Sequence, residues 1–427
     1  MKLFNKDFFM VLIGQIISLF GNTILRFALP LYLLNVTKSA SLFGIVSACS
    51  FIPMIFATPI GGVFADRINK RNIMVCLDFL TAVIITAVSI LMGKVNLVIL
   101  ILLCLIILYT IQGIYQPAVQ ASIPFLVPMD QIMKANAAIN LVASLANLIG
   151  PVLGGILFGF FGITPILYIS GICFLAASIM EIFINIPCLQ NSNSADKNNS
   201  KKLFDIILSD IKESLHFMIK HRPEILKLSF IISLFNLILS ACAMIGLPII
   251  VTQKLGLDLE TSNEFYGYVE GAMGAGSLIG GILAGTLSKK INITCGPLFI
   301  ILCSLTFFPI TTILTMNFPF IVSYAIITTC SFFMMALASI FSIQLMSCLQ
   351  LLTPNELLGK VISCVMCIVM CATPIGQALY GIAFQYFSNI PQVVFLTAMI
   401  CALIIGFSTI KTFKKVDNLT KTIQSGI

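Results

Sequence analysis

Apolar and polar positions in this chain are segregated by whole segments: long runs of Leu, Ile, Val, Phe and Ala are broken by short polar intervals, without the residue-by-residue alternation of a barrel strand. Twelve runs can be marked: Phe8 to Leu34, Leu42 to Ala65, Ile73 to Met92, Leu97 to Ile123, Ala137 to Phe160, Thr164 to Ile186, Ile225 to Val251, Phe265 to Leu287, Thr294 to Leu314, Phe318 to Met346, Val361 to Phe387 and Gln392 to Lys411. A helix needs about 20 such residues to cross a hydrocarbon core of roughly 30 Å. Continuous apolar runs can satisfy their backbone groups there only as helices. The pattern therefore predicts an all-α membrane protein with twelve transmembrane helices. Gly14, Gln15, Gly21, Asn22 and Arg26 interrupt the first run and no small-residue cleavage site follows it, so it is expected to remain as the first membrane helix.

The longest polar interval, CLQNSNSADKNNSKK from Cys188 to Lys202, separates six runs from six. Its Asn, Ser and Lys content supports no core. Residues 1–187 and 225–411 are expected as two six-helix halves, 188–224 as a linker and 412–427 as a tail. Within the linker, Leu203, Ile207, Ile211, Leu215 and Met218 recur every three or four residues among charged positions, which predicts an amphipathic surface helix at the membrane interface or against the bundle.

Charge orients these elements. Of 24 Lys and Arg, Lys38, Lys94 and Lys254 fall on one set of loops, Arg26 lies inside the membrane, and all others fall on the side of the termini. Basic residues mark the cytoplasmic side, so both termini are expected in the cytoplasm. The net charge of +8 follows this topology and anionic lipid would attract it, so no nucleic-acid partner is implied. The 14 cysteines lack paired metal-ligand spacing, and His216 and His221 sit in the linker, so no metal site is expected. Cys364, Cys367 and Cys371 share a helix face, a spacing read here as packing.

The halves resemble each other. GGVFADRINKR from Gly61 lines up with GGILAGTLSKK from Gly280, and Pro128, Asp130 and Lys134 with Pro354, Glu356 and Lys360. In that register Gly150 falls on Gly376 and Gly155 on Gly381, as in transporters built from internal repeats.

At these residues the chain resembles the major facilitator superfamily, whose loop after the second helix reads G-x-L-A-D-R-x-G-R-K; here it is Gly62, Phe64, Ala65, Asp66, Arg67, Asn69, Lys70 and Arg71. Asn69 replaces a Gly and is expected to keep a left-handed turn. ANLIGPVLGG, Ala146 to Gly155, resembles the superfamily's antiporter motif through Gly150, Pro151, Gly154 and Gly155. The resemblance implies a pliant fifth helix at the interface of the halves and exchange of substrate against protons. It also implies that Asp66 engages Arg71 and the start of the eleventh helix, near Lys360 to Ser363, when the cytoplasmic side is closed. Gly285 and Thr286 stand where Asp66 and Arg67 would repeat, so this latch is one-sided. The stretches from Ser18, Asp66 and Leu349 resemble the macrolide-efflux and siderophore (enterobactin) exporter subgroup.

Ionisable residues inside the membrane are costly and point to function. Asp78, two turns beyond Arg71, is expected to be a partner of the basic loop rather than a proton carrier. Glu181, near the cytoplasmic end of its helix, is either a functional carboxylate inside the membrane or one that snorkels to the interface. Arg26 and Glu270 lie at similar depths in opposite halves. Either they line a central cavity as a gating pair, with Glu270 as the proton-binding carboxylate, or Arg26 serves Asn22 and Glu270 is solvated at the cavity mouth. Asn22, Gln112, Asn147, Asn236, Gln344 and Gln377 are candidate substrate ligands or packing groups. Phe20, Phe27, Phe235, Phe341 and Met346 could supply an apolar lining or face lipid.

No phosphate loop and no nucleophile-base set occurs, so neither ATP-driven transport by this chain nor enzymatic hydrolysis has its chemistry, and no cofactor is expected. The sequence predicts a secondary transporter, acting as a monomer in the lipid bilayer of the cytoplasmic membrane, that exports an amphipathic small molecule against protons. The alternatives are a lysophospholipid or siderophore exporter and a transport-inactive sensor or assembly homologue.

Overall fold

The computed structural model describes residues 6–128, 131–185, 212–286, 292–316, 318–354 and 357–425, with all their side chains except those of 63, 66, 67, 133, 259, 421 and 423–425. Helices α1 (Lys6–Thr37), α2 (Ala40–Arg67), α3 (Lys70–Leu91), α4 (Leu97–Leu126), α5 (Ile132–Phe161) and α6 (Ile163–Ile182) precede the linker. Then come α7 (Pro223–Gln253), α8 (Leu259–Thr286), α9 (Ile293–Met316), α10 (Phe320–Leu352), α11 (Leu358–Tyr386) and α12 (Gln392–Ser425). Each of the twelve apolar runs corresponds to one of these helices. Eleven of the twelve are long and apolar enough alone to cross a membrane. The exception, α8, is 28 residues long but diluted by glycines and by Glu260, Glu264 and Glu270. It is sheltered between α5 and α10, where its small residues allow close approach.

Polar residues at the loops start the helices. Ser39 accepts from Leu42 N to open α2, Asn69 from Arg71 N at 3.0 Å to open α3, and Asn96 from Val98 N and Ile99 N to open α4. This corrects the expected left-handed turn at Asn69. Its φ is −59°, so what the chain uses there is the capping amide of Asn and not its tolerance of positive φ. The part of the expected linker helix before 212 lies outside the described residues; 212–220 are helical, with Ser214 and Met218 buried and Glu213 paired to Lys360 at 2.7 Å. The stretch after 411 continues α12, buries Phe413 and Val416, and ties Lys415 to Glu224 at 2.9 Å.

Large apolar side chains such as Phe56, Phe160, Ile172, Ile321 and Tyr386 stand more than half exposed on the outside, as a lipid-facing surface requires. Within and between the halves the fit is by glycine, in the register of the sequence repeat. A Cβ on Gly150 would lie 2.7 Å from Thr23 of α1, and one on Gly376 2.5 Å from Ala241 of α7. Five residues on, Gly155 meets Gly267 of α8 and Gly381 meets Gly44 of α2, each across the two halves, with Cα atoms where a Cβ would need to be. Both crossings lie towards the side away from the chain termini, called here the distal side.

Candidate functional site: a cavity between the halves

A cavity of about 600 Å³ lies between the halves. Helix α1 contributes Thr23, Arg26, Phe27 and Pro30, α5 contributes Asn147 and Pro151, and α8 contributes Tyr266, Glu270 and Met273. Part of its wall comes from an irregularity of α7. Residues Asn236–Ser240 form a single π turn, a feature frequent at functional sites, and both end residues of the turn face the cavity. Gly376 lets α11 press against that turn, close to the carbonyl of Leu237.

Of the residues singled out in the sequence, the structure brings Arg26, Asn147, Pro151, Asn236, Glu270 and Gln377 to this cavity. Arg26 and Glu270 share it without an ion pair. The guanidinium of Arg26 donates to Gln112 Oε1 and lies 3.9 Å from the centroid of the Tyr109 ring, while Glu270 Oε1 accepts from Tyr266 OH at 2.6 Å. Gln112 thus contacts Arg26 and is not itself part of the lining. Gln377 is 5% exposed; its amide contacts Met244 Sδ at 3.7 Å and its Oε1 has no partner. Asn22 is not among the lining residues, and Gln344 is turned to the carbonyl of Asn292 on the terminal side. Phe27 lines the cavity, whereas Phe235 and Phe341 are buried against each other, centroids 5.1 Å apart.

Tyr109 and Tyr266 were not read as site residues, although each stands one helical turn from a polar residue that was, Tyr109 before Gln112 and Tyr266 before Glu270. That i, i+3 or i, i+4 spacing was the available signal. Met244, Met273, Met334 and Met335 also line the cavity, a soft and adaptable wall that no local pattern announced.

Closure on the distal side rests on weak groups. Phe27 stacks on Tyr266, with centroids 5.3 Å apart, and Asn35 Nδ2 donates to Asn263 Oδ1 at 2.7 Å, both between α1 and α8. Ser39 Oγ donates to Gln385 Oε1 at 3.2 Å from α2's cap to α11. A stacked pair contributes about 0.5–1.5 kcal/mol and a net hydrogen bond about 1 kcal/mol. Their sum is of the size a reversible two-state closure requires.

Two acidic residues depart from expectation. Asp78 does not meet the described basic side chains of the loop: Lys70 lies over the Phe125 ring and Arg71 donates to Asn72 Oδ1 at 3.2 and 3.3 Å, while Asp78, 2% exposed, accepts from Ser18 Oγ of α1. Glu181 does not reach the interface. It is fully buried, and its Oε1 accepts from Tyr115 OH of α4 at 2.7 Å. Helix α3 packs along α6 and α1 packs against both α4 and α6, which encloses the two carboxylates together. The side chains of Asp66 and Arg67 lie outside the described residues; Gly62 beside them has no atom within 4 Å of a would-be Cβ.

Two repeated six-helix bundles around a central cavity of mixed polarity are the architecture of a membrane carrier. The chain matches the profile of the Major Facilitator Superfamily over residues 11–366, and it belongs to that family. Macrolide efflux protein A of Streptococcus pyogenes is 26% identical over 183 residues, 43% of this chain and 45% of the relative. The chain thus spans under half the length of that relative. Macrolide efflux protein A of Enterococcus faecalis is 23% identical over 340 residues, 78% of this chain and 97% of the relative. Among solved structures, a bacterial homologue of the human lysosomal transporter Spinster, inward-facing and unoccupied, superposes with a TM-score of 0.69 at 13% identity, covering 96% of this chain and 99% of the other. The nucleoside transporter NupG gives 0.73 at 12% identity, covering 96% and 100%.

Proposed function

We propose that this chain is an exporter of amphipathic small molecules across the cytoplasmic membrane, driven by proton antiport and acting as a monomer. The observation that carries the reading is the cavity's mixed wall: methionines and Phe27 for a bulky apolar body, Arg26 and Glu270 as single charges of each sign, and the unpartnered Gln377 Oε1 for a donor on the substrate. The relatives named for macrolide efflux support the substrate class. The distribution of Lys and Arg supports cytoplasmic termini. On that orientation the distal closure leaves the substrate to enter from the cytoplasm, in keeping with the inward-facing structural relative.

The reading is tested by expressing the chain in efflux-deficient bacteria and following accumulation of ethidium and susceptibility to a macrolide panel, with and without a proton uncoupler. Expression is expected to lower accumulation, and the uncoupler to restore it. Glu270→Gln is expected to raise the substrate concentration needed for half-maximal export of cationic compounds by roughly tenfold, the size of one lost charge-assisted hydrogen bond. Accumulation indifferent to expression would set this substrate class aside in favour of lysophospholipids or siderophores.

The latch at Asp66 belongs to the same reading. Leu357 at the N-cap of α11 makes no side-chain hydrogen bond, and the positive end of that helix favours a carboxylate brought across the interface. In the present state Glu213 holds Lys360 there instead. Asp66→Asn is expected to fold and to bind substrate but to export it several-fold more slowly in everted vesicles; a normal rate would refute the latch.

A further inference from the structure

Asp78 and Glu181 form a buried acidic pair that the cavity does not use. Both face α1 one helical turn apart, Glu181 at Gly14 and Asp78 at Ser18, and the described side chains of the four helices around them bring no cation to compensate. The described basic side chains of α1, α3, α4 and α6 are Lys6, Arg26, Lys70 and Arg71. Lys6 is exposed at the start of α1, Arg26 is on Gln112, Lys70 is over the Phe125 ring, and Arg71 is on Asn72. Among the described residues, the other titratable group at the pair is the Tyr115 phenol. Two carboxylates enclosed with no cation among the described side chains favour taking up one positive charge, a proton, over staying doubly ionised.

A second feature shows where that charge goes. Gly14 and Ser18 mark the face of α1 turned to the pair, because a Cβ on Gly14 would lie 3.2 Å from Glu181 Oε1 and Ser18 donates to Asp78. Gln15 stands about 60° around the helix from Ser18. It is fully buried and neither its Oε1 nor its Nε2 has a partner; Glu181 Oε2 has none either. An O–H on Glu181 Oε2 would supply the donor that an amide oxygen on this face lacks.

We propose that Asp78 and Glu181 are the binding site of the transported proton, with Gln15, Ser18 and Tyr115 as its hydrogen-bonding shell. The proton forms an O–H bond at Glu181 Oε2, which becomes neutral, and leaves from the same oxygen; the one negative charge that remains in the loaded state stays on Asp78, held by Ser18. Helix α1 links this site to the substrate cavity: Ser18 and Arg26 are eight residues apart, about 12 Å along one rigid helix. Unloading the pair leaves two carboxylates repelling each other across α3 and α6, which spreads those helices and loosens the seat of α1, held there by Ser18 and Gly14; loading it restores that seat. This deepens the proton-antiport reading and places the coupling ion inside the first half, outside the substrate cavity.

The test is an infrared pH titration of the purified full chain in lipid nanodiscs, which reads protonated carboxylic acids directly and needs no substrate. The wild type is expected to show a carboxylic-acid band near neutral pH that is absent in Glu181→Gln and displaced in Asp78→Asn. Should the first variant fail to give monodisperse protein, the displaced band in the second carries the result. The same variants are assayed for dye efflux driven by an imposed pH gradient, which Glu181→Gln is expected to uncouple. A wild-type band untouched by both substitutions would overturn the proposal, as would thermal stabilisation by sodium but not choline chloride that Glu181→Gln removes. A Glu181 band without any pH-driven efflux would leave the proton site standing and sink the antiport reading. Efflux that needs the gradient, with no such band, would do the reverse.

Discussion

Leucine at Gly61 or Gly280 is expected to abolish folded protein, whereas alanine at the following residue, Gly62 or Gly281, leaves it intact. A Cβ on Gly61 would lie 2.6 Å from Ile114 Cα and 2.8 Å from Gly113 O of α4, and one on Gly280 2.2 Å from Ala336 O of α10. The obstacles are backbone atoms, so no rotamer change relieves them and the whole helix must withdraw. Overpacking that side chains can absorb costs about 1–3 kcal/mol. A displaced helix pair forfeits more, against a total stability of only about 5–15 kcal/mol. At Gly62 nothing lies within 4 Å, and at Gly281 the nearest atoms are side-chain ends at 3.8 Å. Size-exclusion profiles and thermal midpoints of the four variants decide the matter. A monodisperse Gly280→Leu protein with an unchanged midpoint would show that the α8–α10 contact is softer than its distances say.

That contrast bears on what the sequence can reveal. The repeat was legible because backbone-to-backbone contacts demand one residue type, and the register aligning Gly61 with Gly280 and Gly155 with Gly381 is the register in which those glycines pack. The helix count was legible because a bilayer imposes a length and an apolar content on each span. The surroundings of Asp78 and Glu181 were not, because each was read against its own helix end, and their partners Ser18 and Tyr115 come from other helices at separations of 60 and 66 residues. Periodicity describes one helix at a time and cannot say which two faces meet. Asn69 misled for a simpler reason: an amide that tolerates positive φ is also a good N-cap, and the two roles share one letter. Gln344 was placed in the cavity on polarity alone, but a polar residue in a long helix has a depth as well as a face, and its depth puts it beside Asn292.

Leucine at Gly155 or Gly381 is expected to leave both halves folded but to stop export, the clearest separation of stability from function that this fold offers. Gly155 meets Gly267 and Gly381 meets Gly44 across the halves, with would-be Cβ distances of 2.7 and 2.8 Å to the facing Cα atoms. Neither contact holds a half together, since each half is packed by its own helices. The wedge therefore acts on the equilibrium between distal-closed and distal-open states. If the clash costs about 2–3 kcal/mol, it shifts that equilibrium by roughly two orders of magnitude. The closure it opposes is worth only a few kcal/mol, from the Phe27–Tyr266 stack and the Asn35–Asn263 bond, so the distal-open state should dominate. Spin labels at Lys38 and Asp258, exposed on the distal side of the two halves, should then show a longer distance in Gly155→Leu than in the parent, with a normal thermal midpoint and dye efflux reduced at least tenfold. An unchanged label distance alongside lost efflux would mean that the glycine crossing serves something other than closure. An unchanged distance with normal efflux would mean that the halves do not part along this line at all.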